Sequence, residues 1–174
     1  MTEKTTEEIL HSSSDEFGTP QWLFDELNAV HHFTLDVCAS EKNHKCERYN
    51  SILEPHKFSW RDESCFMNPP YSRGSVAKWI KLAYRASRCG QCSVVALLPA
   101  RTEQPWFHDY VWGHVEDGVV LRPLRGRLKY EGGVSSARFP SIVVEWRRRS
   151  AKFIEPFPQI PLFSSEADKI VMGE

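Results

Sequence analysis

Apolar residues along the chain fall into short periodic blocks separated by polar stretches, and the blocks alternate between helical and strand periods. Leu23, Leu27 and Val30 recur at helical spacing behind Thr19-Pro20, which predicts the first helix. Thr19 suits the N-cap, Pro20 the first turn, and Asp25 and Glu26 the amino-terminal half. Phe33-Thr34-Leu35-Asp36-Val37 reads as a short apolar strand with an acid near its carboxyl end. The stretch 41–61 is polar, with helical character only around Glu41–Arg48. Cys65-Phe66-Met67 predicts a brief strand running into Asn68-Pro69-Pro70-Tyr71. Two prolines end any ladder there, so these four residues belong to a loop at the strand's carboxyl end.

Val76, Trp79, Ile80, Ala83 and Tyr84 repeat with helical period. Ser93–Leu98 is an uninterrupted apolar run, as a central parallel strand covered on both faces requires. Residues 103–112 predict another helix, and 118–122 and 141–146 two more strands, joined by a turn containing Gly132-Gly133. This order predicts an α/β fold with a mostly parallel central sheet and flanking helices. Ligands of such sheets bind beyond the carboxyl ends of the strands, where the strand order reverses. Asp36 and Asn68 are both expected at such ends, lining one crevice.

Length and composition narrow the class. At 174 residues the chain suits one domain, which can bury roughly 68–70% of its unfolded surface and needs no disulfides. No apolar run reaches the ~18 residues of a membrane span, and MTEKTTEEILHSSS lacks the basic start and apolar core of a signal peptide. These features exclude a collagen, a coiled coil and a disulfide scaffold, and lead us to expect a soluble cytoplasmic protein without membrane association. Three segments are expected: a flexible 1–14, a domain over 15–149, and an extended or disordered 150–174 rich in proline.

The net charge of −1 conceals an asymmetry. Residues 1–35 carry seven acids against Lys4, whereas 122–152 carry nine bases against Glu131 and Glu145. Such a basic segment reads either as a solvated surface or as a face for a polyanion.

Asn68-Pro69-Pro70-Tyr71 carries the most specific chemistry. An exocyclic amine of adenine or cytosine is a poor nucleophile, because its lone pair is delocalised into the ring. Acceptors that take both amino protons draw the nitrogen toward tetrahedral geometry and release that lone pair. The Asn68 side-chain oxygen and the Pro69 carbonyl are acceptors of this kind, held in place by the two prolines. Tyr71 offers an aromatic face on which a base can stack, worth roughly 1–3 kcal/mol in nucleic-acid sites. An amide is no general base near neutrality, so the nitrogen attacks first and loses its proton afterwards. The electrophile must then be strong in itself, which points to a sulfonium methyl donor. The plainer reading is a proline-rich strand-end turn with a buried tyrosine.

Other constellations carry less. Cys89-Gly90-Gln91-Cys92 precedes its strand, whereas a redox CxxC follows one at a helix start; Cys38, Cys46 and Cys65 supply no second close pair for a metal. No metal is expected, and the five thiols read as free. His31-His32 follows the first helix and reads as a C-terminal cap. Trp79 and Trp146 read as core, and Trp22, Trp60 and Trp106 as core residues or as walls for an aromatic ligand.

The ordered set of short pieces resembles the Dam-like DNA N6-adenine methyltransferases of phages and prophages. The pieces are Phe17-Gly18-Thr19-Pro20, Leu35-Asp36-Val37-Cys38-Ala39-Ser40, Asn43 with Cys46 and Tyr49, Trp60, and Asn68-Pro69-Pro70-Tyr71-Ser72. Leu97-Leu98-Pro99-Ala100-Arg101-Thr102 with Trp106-Phe107, and Gly126-Arg127-Leu128-Lys129-Tyr130, complete it. The resemblance implies a size-reduced Rossmann-like methyltransferase fold, S-adenosylmethionine as cofactor, and an adenine flipped out of double-stranded DNA as acceptor. Asn68, Pro69, Pro70 and Tyr71 would then be catalytic. Thr19, Pro20, Asp36, Cys38, Ala39, Ser40 and Asn43 would bind the cofactor, with Thr19-Pro20 beside its methionine end. Arg101, Arg127 and Lys129 are the candidates for DNA contacts. The pattern departs from methyltransferases at large in having no glycine in Cys38-Ala39-Ser40 and only 32 positions from Asp36 to Asn68. Alternatives from the residues alone are another amine or amide acceptor (cytosine N4, RNA guanine N2, protein glutamine) and a non-catalytic DNA-binding remnant.

Overall fold

The computed structural model describes residues 18–51, 57–71, 75–133 and 135–148. The segments expected as a flexible start and a proline-rich tail lie outside them. Helix α1 (Gln21–His31) buries Leu23, Phe24 and Leu27, while Val30 is half-buried. Pro20, not Thr19, stands at its N-cap, and the Pro20 carbonyl accepts from the Leu23 and Phe24 N–H groups. The Thr19 hydroxyl is engaged elsewhere. At the other end His32 adopts the left-handed conformation, and its N–H donates to the Asn28 carbonyl.

Strand β1 covers Leu35–Ala39, two residues later than the periodicity predicts. The reason is local. The Phe33 N–H donates to the Asn28 side chain at 2.7 Å, so Phe33 belongs to the helix exit and packs on Phe24 and Phe66. Asp36 therefore sits in the first half of its strand rather than at the carboxyl end. The segment after β1 is a turn and not a helix, because the Asn43 side chain accepts from the Ser40 N–H at 2.7 Å and competes with helical bonding.

The remaining elements are β2 (Tyr49–Ser51), β3 (Ser64–Met67), α2 (Ser75–Arg88), β4 (Ser93–Pro99), α3 (Pro105–Tyr110), a 3₁₀ turn (Trp112–His114), β5 (Val120–Pro123) and β6 (Ser141–Trp146). They build one six-stranded sheet in the order β2-β1-β3-β4-β6-β5. The β1–β2, β1–β3 and β3–β4 pairings are parallel, and β6 runs antiparallel to both its neighbours. The link between β5 and β6 is a long loop, 124–140, rather than a tight turn.

Asp36, Phe66, Val95 and Glu145 are register partners across β1, β3, β4 and β6 and form one row of the sheet. Helix α1 covers that face: Phe24 meets Phe66 edge-on at 5.2 Å, and His31 lies 3.7 Å from Glu145. Successive strand residues point to opposite faces. Accordingly Trp146, next to Glu145, turns away from α1 and donates its indole N–H to the Tyr110 carbonyl of α3 at 2.8 Å. Tyr84 of α2 packs on Tyr110. Helices thus lie on both faces, which explains why β1, β4 and β6 are buried almost throughout. Trp60 stacks on Trp79 and Trp106 is buried, so both serve the packed interior.

Candidate active site

The Asn68 loop leaves β3 beside the carboxyl ends of β1 and β4. A cleft opens there, lined by Gly18, Thr19, Asp36, Cys38, Asn43, Phe66 and Asn68. Five of the residues singled out from the sequence therefore meet in one place although three separate segments supply them. Pro20, Ala39 and Ser40 adjoin this lining in the chain. The Ser40 hydroxyl oxygen is buried and has no hydrogen-bond partner among the described residues.

Asn68 is held at both ends of its amide. Its Nδ2 donates to the Thr19 hydroxyl at 3.0 Å, and its Oδ1 accepts from the Tyr71 hydroxyl at 2.8 Å. Pro69 is buried, which anchors the turn. The Tyr71 ring is buried as well, in edge-on contact with Tyr130 and Phe139 at 5.5–6.1 Å between centroids. Its hydroxyl reaches the Leu97 carbonyl of β4 at 3.2 Å and the Tyr130 hydroxyl at 3.1 Å, and Tyr130 in turn meets the Ser141 hydroxyl at 3.1 Å. Burial raises the pKa of Tyr71 well above its ordinary value, with the Tyr130 neighbour adding to the shift. Tyr71 is therefore a neutral donor and not a base.

Asp36 is 3% exposed, and its carboxylate accepts from the Lys45 N–H at 3.1 Å and the Cys38 N–H at 3.4 Å. Burial dominates over these bonds and pushes its pKa up to about 6. Among the described residues no cation pairs with it. The Lys45 ammonium is directed elsewhere: it bonds Glu131 at 2.8 Å and the Gln21 side chain at 2.9 Å. Glu131 also receives the chain entering α1, since its N–H donates to the Gly18 carbonyl at 2.8 Å. A Cβ on Gly18 would lie 3.0 Å from the Glu131 Cβ, so this close approach favours glycine.

Arg101, just after β4, and Arg127 and Lys129, in loop 124–140, are exposed. None of the three lines the cleft. In that loop Leu124, Leu128 and Tyr130 point inward, while Arg125, Arg127, Lys129 and Arg138 are exposed. The other described arginines of the basic segment behave differently. Arg122 forms an ion pair with Glu145 at 2.7 Å, Arg147 approaches it at 3.8 Å, and Arg148 pairs with Asp62 at 2.7 Å.

Sequence reasoning missed Lys45, Tyr130, Glu131 and Ser141 as parts of the site's framework. Only Tyr130 had a readable signal, the alternation Arg127-Leu128-Lys129-Tyr130. Lys45 and Glu131 look like any surface charge until the fold brings them together. The five cysteines are free; Cys89 is exposed and Cys92 is buried against Cys65 rather than paired with Cys89.

Residues 6–148 match the family profile of DNA N-6-adenine-methyltransferase (Dam). The chain belongs to the Dam family. No curated protein matches it. The Dam match spans the whole described domain, so the cleft, the Asn68 loop and loop 124–140 all lie within it. In general terms the chain is a DNA adenine-N6 methyltransferase built on a small α/β fold. Among the described residues, no helix of this Dam-family chain is long and apolar enough to cross a membrane, and no group of three or more His, Cys, Asp or Glu side chains is placed to hold a metal.

Proposed function

We propose that this Dam-family chain methylates N6 of an adenine flipped out of duplex DNA, with S-adenosylmethionine as the donor, on a Rossmann-like fold of reduced size. The observation that carries the reading is the Asn68 amide, fixed between Thr19 and Tyr71 at the lip of a cleft that also presents Asp36. The sheet order supports the fold, because it reverses between β1 and β3, where a doubly wound sheet places its ligand.

The residues fit the cofactor. Asp36 faces the cleft as a buried carboxylate whose bonds come from backbone N–H groups, so a cationic or hydroxyl-bearing ligand improves its environment. The Ser40 hydroxyl is a second buried polar atom awaiting a partner. Thr19, Cys38 and Asn43 line the wall, Pro20 and Ala39 adjoin it in the chain, and the small Cys38 side chain allows close approach. The bound cofactor supplies a methyl group on a positively charged sulfur.

Asn68 and the Pro69 carbonyl accept the two protons of the target amine and draw its lone pair out of the ring. An amide oxygen has two lone pairs, so the bond from Tyr71 leaves capacity for the amine. Pro70 stiffens the turn. The proton is lost to solvent water only after the nitrogen has gained its methyl group, which suits a site whose nearest groups are an amide and neutral phenols. Arg101, Arg127 and Lys129, joined by Arg125 and Arg138, face outward from the same end of the sheet and would hold the phosphates while the base is out of the stack.

Nucleoside mass spectrometry on unmethylated duplex DNA incubated with protein and S-adenosylmethionine tests the reading. N6-methyladenine that vanishes with Asn68→Ala is expected. N4-methylcytosine would overturn the choice of base, and no methylated base would overturn the activity.

A further inference from the structure

Lys45 brings two groups to the neighbourhood of Asp36, and they are used in opposite ways. Its backbone N–H donates to the carboxylate at 3.1 Å, whereas its ammonium donates to both Glu131 oxygens at 2.8–2.9 Å and to the Gln21 side chain at 2.9 Å. The carboxylate therefore lies close to the root of a flexible four-carbon stem that ends in a full positive charge. Opposite charges attract strongly over a few ångströms at the edge of a protein, and Asp36 lines a cleft from which such a stem can reach it. Left to itself, the ammonium is the natural partner of Asp36. It lies instead in a socket at the rim, with the Lys45 side chain only 8% exposed.

Glu131 makes that socket. Its own place is fixed by the backbone, through the antiparallel bridge to Gly18 and the N–H it donates to the Gly18 carbonyl. The other titratable groups around Asp36 do not take the part of a counter-ion. Burial raises the Cys38 thiol well above its ordinary pKa and pushes Cys46 up to about 12, so both are neutral. The His44 ring is bonded to the Cys46 carbonyl at 2.9 Å and stacked on Tyr49. We propose that Glu131 is a positioning residue for cofactor binding: it holds the Lys45 ammonium at the rim, so that Asp36 keeps its charge for the incoming donor. A lysine released from Glu131 would pair with Asp36, and the cofactor would have to displace it. This rests on the cofactor proposed above, and it gives the Lys45–Glu131 pair a part beyond bracing the cleft.

Two measurements on the full chain test it. In calorimetry with S-adenosylmethionine, Glu131→Ala is expected to weaken binding about tenfold, the effect of an opposite charge settling beside a carboxylate. Glu131→Gln, which keeps an acceptor without the charge, should fall between it and the wild type. Lys45→Met retains the backbone N–H to Asp36 and should bind within about twofold of wild type, since an ion pair at the rim is itself worth little. The deciding variant is Lys45→Met/Glu131→Ala, which should regain that affinity because no ammonium is left to compete. A pair that only braces the cleft would make Lys45→Met as weak as Glu131→Ala and leave the double variant unrescued. Either result, or an unchanged affinity in Glu131→Ala, would overturn the proposal. The second measurement needs no cofactor. The Asp36 carboxyl ¹³C signal, assigned by its loss in Asp36→Asn, should titrate at about 6 in the wild type, about one pH unit lower in Glu131→Ala, and at about 6 again in the double variant. An unmoved midpoint in Glu131→Ala would overturn the role of Glu131. A wild type that binds no S-adenosylmethionine would instead remove the proposed cofactor, while the titration still reports on Glu131.

Discussion

Asp36 and Glu145 are both carboxylates buried in the same row of the sheet and covered by the same helix, about 14 Å apart at the ~4.8 Å strand spacing. They are treated in opposite ways. Glu145 is faced by Arg122 and Arg147, a charge matched on the spot, and the His31 ring lies 3.7 Å away. Asp36 receives two backbone N–H groups, while the adjacent lysine is turned away to Glu131. A carboxylate matched within the protein ties β5 and β6 to α1. A carboxylate left with a raised proton affinity beside an opening is set up for something that arrives from outside.

The comparison breaks most sharply at Glu145. Glu145→Gln removes the buried negative charge that faces Arg122 and Arg147 and should cost about 3 kcal/mol of stability, seen in denaturant melts. Cofactor affinity, measured by calorimetry where the variant is folded, should not change. Asp36→Asn should do the reverse. It should weaken cofactor binding more than tenfold while stabilising the ligand-free protein by up to about 3 kcal/mol above pH 6. The sign follows from the raised pKa. Between the ordinary value of 3.8 and about 6, the folded protein keeps a proton that the unfolded chain has lost. Stability therefore falls as pH rises through that window and stays lower above it, so the gain from Asp36→Asn should fade toward pH 4. In the wild type, cofactor affinity should drop about tenfold per unit as pH falls below about 6, because binding needs the ionised carboxylate.

Gly18→Ala sharpens the comparison on the Asp36 side alone. Its Cβ would press on Glu131 and shift Thr19, so methylation should slow several-fold with melting little altered. The smallest effects belong to the outward cations. Each of Arg125→Ala, Arg127→Ala and Arg138→Ala should reduce the dependence of DNA affinity on salt by about one contact, whereas Arg148→Ala, whose charge is matched by Asp62, should not.

Much of this was legible in the sequence. The helical spacing of Leu23 and Leu27, the apolar run 93–98 and the proline pair after Asn68 each follow from local rules, and the structure has the elements they predict. Boundaries were less legible where a side chain intervenes: Asn28 delays β1, and Asn43 replaces a helix with a turn. Thr19 has the residue type of a cap, and only the tertiary structure shows its hydroxyl given to Asn68. The basic segment could not be divided from sequence, because Arg122 and Arg125 differ only in which way the backbone turns them.

The bridge between Gly18 and Glu131 joins the first described residue to the loop ahead of the last strand. A contact of such long sequence separation forms late, since loop closure must be met before it contributes. A nascent chain on the ribosome therefore has no completed cleft until Glu131 has emerged, more than a hundred residues after Gly18. The wall that holds Thr19 against Asn68 is a property of the finished molecule, and no shorter fragment would be expected to carry it.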